Sequence, residues 1–268
     1  MTNMPNQRYK AVFLDWDDTI GDWSNAAWKA LNDLYAHYHL DELYDTVAEF
    51  FNTYEPYNLE LWSKYGRSEV TKEQLHFERF YYPLMVNEYP EFRGIDKRQL
   101  ARQMGDEFLQ LTNKYFSLLP DADKVVRYLA AKYPLTIISN GFKEVQYYKF
   151  AHSGLQDCFT HTIISEEVGI NKPQPEIFRI ALELNHIQPS EAVMIGDSYS
   201  SDIAGAQSAG IDQIWLNPNP SPADTPTTND PYGEADRSSD ARSERPTTNA
   251  QRPTTLIIPT LTDVMNLL

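Results

Sequence analysis

The sequence predicts an α/β protein, an open parallel β-sheet with an all-helical block inserted after its first strand. Three observations carry this. Short apolar runs at Ala11 to Leu14, Leu135 to Ile138 and Ala192 to Ile195 read as strands buried on both faces. From Leu118 onward such runs alternate with helical patterns, which indicates βαβ units and a sheet covered on both sides. From residue 22 to about 116 the alternation stops and only helical periodicity is found.

In that block Asn25 to His39 is helical in pattern, with Ala27, Leu31, Leu34, Tyr35 and Tyr38 near one face. Further helical stretches cover Asp45 to Trp62, Thr71 to Met85 and Lys97 to Phe116, with no convincing strand between them. The block holds 20 of the chain's 34 aromatic residues, most of them expected to form its own core. Asp121 to Lys132 then reads as a helix entered through Pro120, with Val125, Val126 and Leu129 on one face. Leu135 to Ser139 follows as a strand and Phe142 to Ser153 as a helix. Next come a strand at Thr162 to Ser165, a helix at Pro175 to Leu184, a strand at Ala192 to Ile195, a helix at Ser200 to Ala209 and a strand at Gln213 to Leu216.

Asn217 to Thr255 contains no Leu, Ile, Val, Phe or Met and repeats Pro-Thr-Thr at 226, 246 and 253. Such a segment buries too little apolar area to offset the entropy of ordering it, so a disordered loop is expected. Leu256 to Ile258 and Leu261 to Leu268 read as a last strand and a last short helix. The expected division is therefore a core of 1–21 and 117–268, with 217–255 as a loop insertion, and a helical cap of 22–116.

A chain of 268 residues with 41% hydrophobic residues can build a sizeable core. Its net charge of −15 argues against a nucleic-acid polymer or an anionic membrane surface as partner. Cys158 is the only cysteine, which excludes an internal disulfide and a cysteine metal cluster and fits a reducing compartment. Met1 to Lys10 is polar and no apolar run reaches spanning length. A soluble, cytoplasmic protein is expected; its oligomeric state is left open, and a monomer is compatible with everything above.

Three of the strands end in residues with chemistry: Asp15-Trp16-Asp17-Asp18-Thr19, Ser139-Asn140-Gly141 and Gly196-Asp197, with Asp202 five residues beyond. Ligands of open parallel sheets collect outside the carboxyl ends of the strands, so these groups and Lys172 from a loop converge on one crevice. A carboxylate at the first strand end, Asp15, can attack phosphorus and form an acyl phosphate. A second carboxylate two residues on, Asp17, can protonate the leaving oxygen and then deprotonate water. Thr19 can hold the turn or the phosphate. Asp and Thr also suit a helix N-cap, so this motif alone decides little. Asn-Gly is equally a common hairpin turn, although a buried run before it and a helical pattern after it favour a loop where Ser139, Asn140 and backbone N–H groups cradle phosphate.

Lys172 alone reads as solvated surface, but between Asn171 and Pro173, with Pro175 beyond, its ammonium has a restricted range. Mg²⁺ takes one or two carboxylates, waters and phosphate oxygens. Asp15 and Asp197 are the expected direct ligands, with the backbone carbonyl of Asp17 and with Asp202 in support. A plain turn at Gly196-Asp197-Ser198 and a first-turn helix charge at Asp202 are the structural alternatives. The ordered conjunction of all four motifs is what points to phosphoryl transfer onto water from a small-molecule phosphate ester.

These motifs resemble those of the haloacid dehalogenase superfamily, in its phosphatase form, over Tyr9 to Leu216 and the last dozen residues. The resemblance implies a Rossmann-like core with a helical cap after strand one, Asp15 as nucleophile, Asp17 as acid/base, Ser139 and Lys172 on phosphate, and Asp197 on Mg²⁺. Dehalogenases of the family lack the second aspartate, so Asp17 implies ester hydrolysis. Asp18 stands where most members carry glycine. Ile138 to Phe142, Ile164 to Pro173, Tyr57 to Trp62 and Gln74 to Phe80 look like the bacterial 5'-nucleotidase branch that prefers pyrimidine nucleoside monophosphates. On that basis Trp62 or Phe142 is a candidate to face a base, and Arg79 to meet its polar edge. A phosphatase of sugar phosphates or phosphoglycolate, a phosphomutase, and a catalytically silent scaffold protein are the rival readings.

Overall fold

The structure, a computed structural model, describes residues 8–221 and 253–268. Most of the stretch expected to be a disordered loop therefore lies outside the described residues. Six strands form one sheet: β1 (Ala11–Leu14), β4 (Leu135–Ser139), β5 (His161–Ile164), β6 (Ala192–Gly196), β7 (Asp212–Leu216) and β8 (Thr255–Ile258). Their order is β5-β4-β1-β6-β7-β8, and every neighbouring pair is parallel. After β1 the chain builds outward through β4 and β5, then crosses to the other side for β6, β7 and β8. The order thus reverses between β1 and β6, the place where open α/β sheets form a ligand crevice.

Alternation along β1 shows how the sheet is sandwiched. Val12 and Leu14 join the apolar cluster of α5 (Ala122–Ala130), with Val125, Val126 and Leu129. Ala11 and Phe13 point the other way, into a cluster with Ile177, Phe178 and Ala181 of α8 (Pro175–Asn185). All four β1 side chains are buried, and full burial of a side chain such as Leu or Phe stabilises by about 1.5–3 kcal/mol. The register Leu14↔Ile195 and Leu14↔Ile137 gathers the carboxyl ends of β1, β4 and β6 at one edge, β6 running one residue and β4 two residues past the end of β1.

Between β1 and α5 the chain forms α1 (Trp23–His37), α2 (Val47–Gly66), α3 (Lys72–Leu84) and α4 (Lys97–Lys114). Side-chain caps mark their starts: Asp22, Thr46, Thr71 and Asp96 each accept a backbone N–H of the first turn, and Thr71 with Gln74 closes a capping box. Their aromatic-rich core includes Phe50, Tyr54, Phe80 and Phe108. The block is not wholly helical. Glu91–Phe92 (β2) and Ile95–Asp96 (β3) pair as a small hairpin around Arg93-Gly94, both at positive φ. Strands of two residues are too short to show an alternating pattern, which is why the sequence alone shows no strand there.

Three other elements differ from expectation in detail. Ser165 does not end β5 but opens a short helix, α7 (Ser165–Val168). The stretch read as a helix from Ser200 begins as a π turn, Tyr199–Ile203, before α9 (Ala204–Ser208). The wide turn brings Asp202 back under the end of β6, where Ser198 N–H donates to its carboxylate at 3.1 Å. The chain end forms a 3₁₀ turn, Leu261–Asp263, and then α10 (Val264–Leu267). The remaining helix, α6 (Lys143–Ser153), follows β4. No helix among the described residues is long and apolar enough to cross a membrane.

Candidate active site

Asp15 is the first residue past β1, and its N–H donates to the Ile195 carbonyl at 2.9 Å, which ties it to β6. The chain then turns sharply. Trp16 goes down into the core, fully buried against Phe116 and Phe150. Asp17 emerges on the same side as Asp15, and both line one cavity of about 200 Å³. Asp18 adopts φ +56°, the left-handed region that favours glycine. Its carboxylate accepts from Ser24 N–H and from Ser24 Oγ–H, both at 2.8 Å, so local hydrogen bonds offset the strain where a glycine would have none. Thr19 is buried, and its hydroxyl donates to Asp197 Oδ1 at 3.3 Å.

Lys172 arrives from the loop before α8 and is 2% exposed. Its ammonium lies 2.6 Å from Asp15 Oδ1 and 2.7 Å from Asp202 Oδ1. Asp202 can come this close because residue 196 is glycine; a Cβ there would run into the Asp202 carboxylate and meet its Cβ at 2.6 Å. Asp197 is held by its backbone, whose carbonyl accepts from Trp215 Nε1–H at 2.7 Å.

One ammonium thus pairs with two of three crowded carboxylates. Burial pushes the Asp15 carboxyl up to about 7 against the pull of Lys172, with Asp202 and Asp17 adding to the rise. Burial also pushes Asp197 up to about 9, helped by Asp15 and Asp202. Lys172 is raised above its ordinary value because the two aspartates outweigh its desolvation. The surplus negative charge calls for a further cation.

Single oxygens of Asp15, Asp197 and Asp202 lie within 4.8 Å of one another, which suits a small divalent ion. Asp202 and Asp17, expected to act in support and through a backbone carbonyl, have carboxylates engaged by other groups. Asp202 is fully buried, and its oxygens are engaged by Lys172, Ser198 N–H and Ser201 Oγ–H. The Asp17 carboxylate belongs to a different group: Lys149 Nζ sits 2.5 Å from Oδ1 and Gln146 Nε2–H donates to Oδ2 at 2.7 Å.

Ser139 ends β4 in the same cavity, and its Oγ accepts from Gly141 N–H at 3.1 Å. Asn140 is used differently from the cradle read in the sequence. Its Nδ2–H donates to the Lys172 carbonyl at 2.8 Å and its Oδ1 accepts from Lys172 N–H at 2.9 Å. Both polar atoms of the side chain thus hold the lysine loop in place. A Cβ at Gly141 would collide with the Gln146 amide and push it off Asp17.

Across the cavity from these groups stand Trp62 of α2, Arg79 of α3 and Phe142 before α6. Phe142 and Arg79 are buried and Trp62 is half-buried, with the Trp62 and Phe142 ring centroids 5.3 Å apart. Gln146 and Lys149 were missed in the sequence. Their signal was a polar pair three residues apart on the face of α6 that also carries Val145 and Phe150. A Lys on an apolar helix face reads as a snorkelling surface residue, and only the fold shows Asp17 waiting for it.

Residues 9–210 match the haloacid dehalogenase-like hydrolase family. YfnB of Bacillus subtilis, a HAD-type hydrolase by name, is 30% identical over 218 residues, which cover 81% of this chain and 87% of that protein. Its magnesium-bound crystal structure superposes with a TM-score of 0.74 at 24% identity, covering 97% of this chain and 99% of the other. The pyrimidine 5'-nucleotidase YjjG of Escherichia coli is 30% identical over 207 residues, 77% of this chain and 85% of the relative. The glyceraldehyde 3-phosphate phosphatase of Pyrococcus furiosus is 29% identical over 218 residues, 78% and 81% of the two chains. With the sheet order, the strand-end aspartates and the family match over three quarters of its length in agreement, the chain belongs to the haloacid dehalogenase-like hydrolases.

Proposed function

We propose that this protein is a Mg²⁺-dependent phosphomonoester hydrolase that works through an aspartyl phosphate on Asp15. The observation that carries the reading is the placement of Asp15 at the switch point of the sheet, 2.6 Å from the Lys172 ammonium, with Asp17 in the same cavity. In this reading residues 1–21 and 117–268 are the catalytic core and 22–116 are a cap over it.

Asp15 attacks phosphorus and the ester oxygen leaves with a proton from Asp17. Asp17 then takes a proton from water, whose oxygen attacks the acyl phosphate and frees Asp15 and inorganic phosphate. Lys172 offsets the charge of the phosphate and of Asp15 as they approach. Ser139 supplies a hydroxyl to a phosphate oxygen, while Thr19 and Asn140 hold Asp197 and Lys172 in place. Asp15 and Asp197 would hold Mg²⁺, with the Asp17 backbone carbonyl, and Asp202 would support them. When bound, the ion offsets charge on the phosphate oxygens. Phosphate release from p-nitrophenyl phosphate, lost in Asp15→Asn, tests the reading; a fully active Asp15→Asn enzyme would refute it, and no hydrolysis at all would favour a silent scaffold.

Pyrimidine nucleoside monophosphates are the substrates favoured, as 5'-nucleotides. Two things support this: the likeness to YjjG, a pyrimidine 5'-nucleotidase by name, and an aromatic wall of Trp62 and Phe142 able to stack on a base. A sugar-phosphate phosphatase is the second reading, supported by the likeness to a glyceraldehyde 3-phosphate phosphatase. A panel of UMP, dUMP, dTMP, phosphoglycolate and hexose phosphates separates the two by kcat/KM.

A further inference from the structure

Three cations line the cavity, and two of them have acids. Lys172 pairs with Asp15 and Asp202, and Lys149 with Asp17. Arg79 has no carboxylate partner among the described residues, although it is 1% exposed. Its Nε and Nη2 are both buried and without a hydrogen-bond partner among the described residues. Around the guanidinium lie the rings of Phe108, Phe80 and Phe142, at 4.8, 5.4 and 5.9 Å. Aromatic faces favour a cation but accept no ordinary hydrogen bond from its edge. Burial lowers the group from its ordinary value, partly offset by the Tyr54 hydroxyl beside it, and an arginine stays charged through such a shift. A desolvated guanidinium with two idle donors is among the costlier arrangements a folded protein can keep.

Gln146 leaves the matching gap on the opposite side of the hydrogen-bond alphabet. Its Nε2 is committed to Asp17, while its Oε1 is buried with no partner among the described residues. Two of the residues that line the cavity of the strand-end aspartates, Arg79 and Gln146, therefore carry two buried donors and one buried acceptor with no partner among the described residues.

We propose that Arg79 is the specificity-determining residue for the leaving group. It donates from Nε and Nη2 to a planar oxygen acceptor, a base carbonyl or a carboxylate, and Gln146 accepts from a hydroxyl or N–H of the same group. Because Gln146 also holds Asp17, a leaving group seated on both residues fixes the acid that must protonate its ester oxygen. The inference rests on the phosphomonoesterase reading of this cavity. A small ester with no such acceptor leaves Arg79 idle and is a poor substrate.

Two substrate pairs isolate the contact and its source. UMP against ribose 5-phosphate differs in the base with its carbonyls, and phosphoglycolate against ethyl phosphate in a carboxylate. Wild-type enzyme should prefer the first member of one pair by about 100-fold or more in kcat/KM, since a site built to hydrogen-bond a group rejects the analogue lacking it. Arg79→Met should collapse that ratio to within about tenfold of unity, and Arg79→Lys, which keeps the charge but not the fork, should restore little of it. Collapse of the UMP ratio identifies a base carbonyl, and collapse of the phosphoglycolate ratio a carboxylate. Phosphate release with both wild-type ratios flat, or equal losses on all four esters in Arg79→Met, would overturn the proposal alone. Should Arg79→Met fail to fold, Arg79→Lys carries the same comparison, and flat wild-type ratios overturn the proposal without any variant. Release from none of these esters nor from p-nitrophenyl phosphate would bring down the phosphatase reading and this proposal with it.

Discussion

Lys149 Nζ lies 2.5 Å from Asp17 Oδ1 across a sequence separation of 132 residues, and Gln146, one helical turn earlier, holds the other oxygen. Helix α6 therefore sets the orientation of the carboxylate proposed as acid and base. The Lys149 side chain is 3% exposed and that of Asp17 26%.

Replacing Lys149 with Met should therefore unhook Asp17 and lower kcat for alkyl phosphates by about tenfold or more, with a smaller loss on aryl phosphates that need little help from an acid. Stability should fall by roughly 1–3 kcal/mol, less than for a fully buried pair because the Asp17 carboxylate reaches water. Kinetics on matched alkyl and aryl esters, with a urea titration, would check both; an unchanged ratio between ester classes would remove Lys149 from any role in orienting Asp17.

Asp15→Asn should keep the fold and lose turnover, since an amide cannot form the acyl phosphate. A loss of at least about a hundredfold in kcat, equivalent to ~3 kcal/mol in barrier, is expected. Residual activity above that level would mean that another group attacks phosphorus.

Gly196→Ala should damage the site from behind. The new methyl would meet the Asp202 carboxylate, the partner of Lys172. A stability loss of about 1–3 kcal/mol, as for overpacking, should accompany a drop in kcat. Thermal melts and steady-state kinetics would show it, and a neutral outcome would mean that Asp202 can swing clear without cost.

Metal and pH should act against each other on stability. The Asp15 and Asp197 carboxyls stand at about 7 and about 9 in the folded protein, above the ordinary 3.8. The native state then binds more protons than the unfolded chain, so these groups favour folding fully below pH 3.8 and that contribution is lost as pH rises through 7 and 9. Chelated protein should lose melting temperature from about pH 6 to 9, Mg²⁺ should restore it most at the alkaline end, and Asp197→Asn should flatten the slope. Activity should disappear on chelation and return with Mg²⁺ better than with Ca²⁺, which prefers more ligands. A melting temperature that rises over the same range without metal would contradict the crowding argument.

The parallel sheet and its order of helices were legible in the sequence because local patterns dictate them. Runs such as Leu135 to Ser139 announce strands buried on both faces, and Thr71 with Gln74 announces a helix start. The strand-end acids were equally legible, since a residue directly after a buried parallel strand must emerge at the crevice. Contacts between distant segments were decided only by the tertiary structure. Asn140 carries donor and acceptor atoms that suit a phosphate, yet the approach of the Lys172 loop uses both of them. Asp18 occupies a glycine-like conformation whose compensation comes from Ser24, across the turn. Lys149 and Gln146 on α6 look like ordinary polar helix residues until the fold buries them beside one cavity, and Arg79 on α3, a candidate by resemblance, shows its unpartnered burial only there. Periodicity fixes which way a side chain faces along its own element; which charge or which gap it then meets depends on how elements far apart in the chain are brought together.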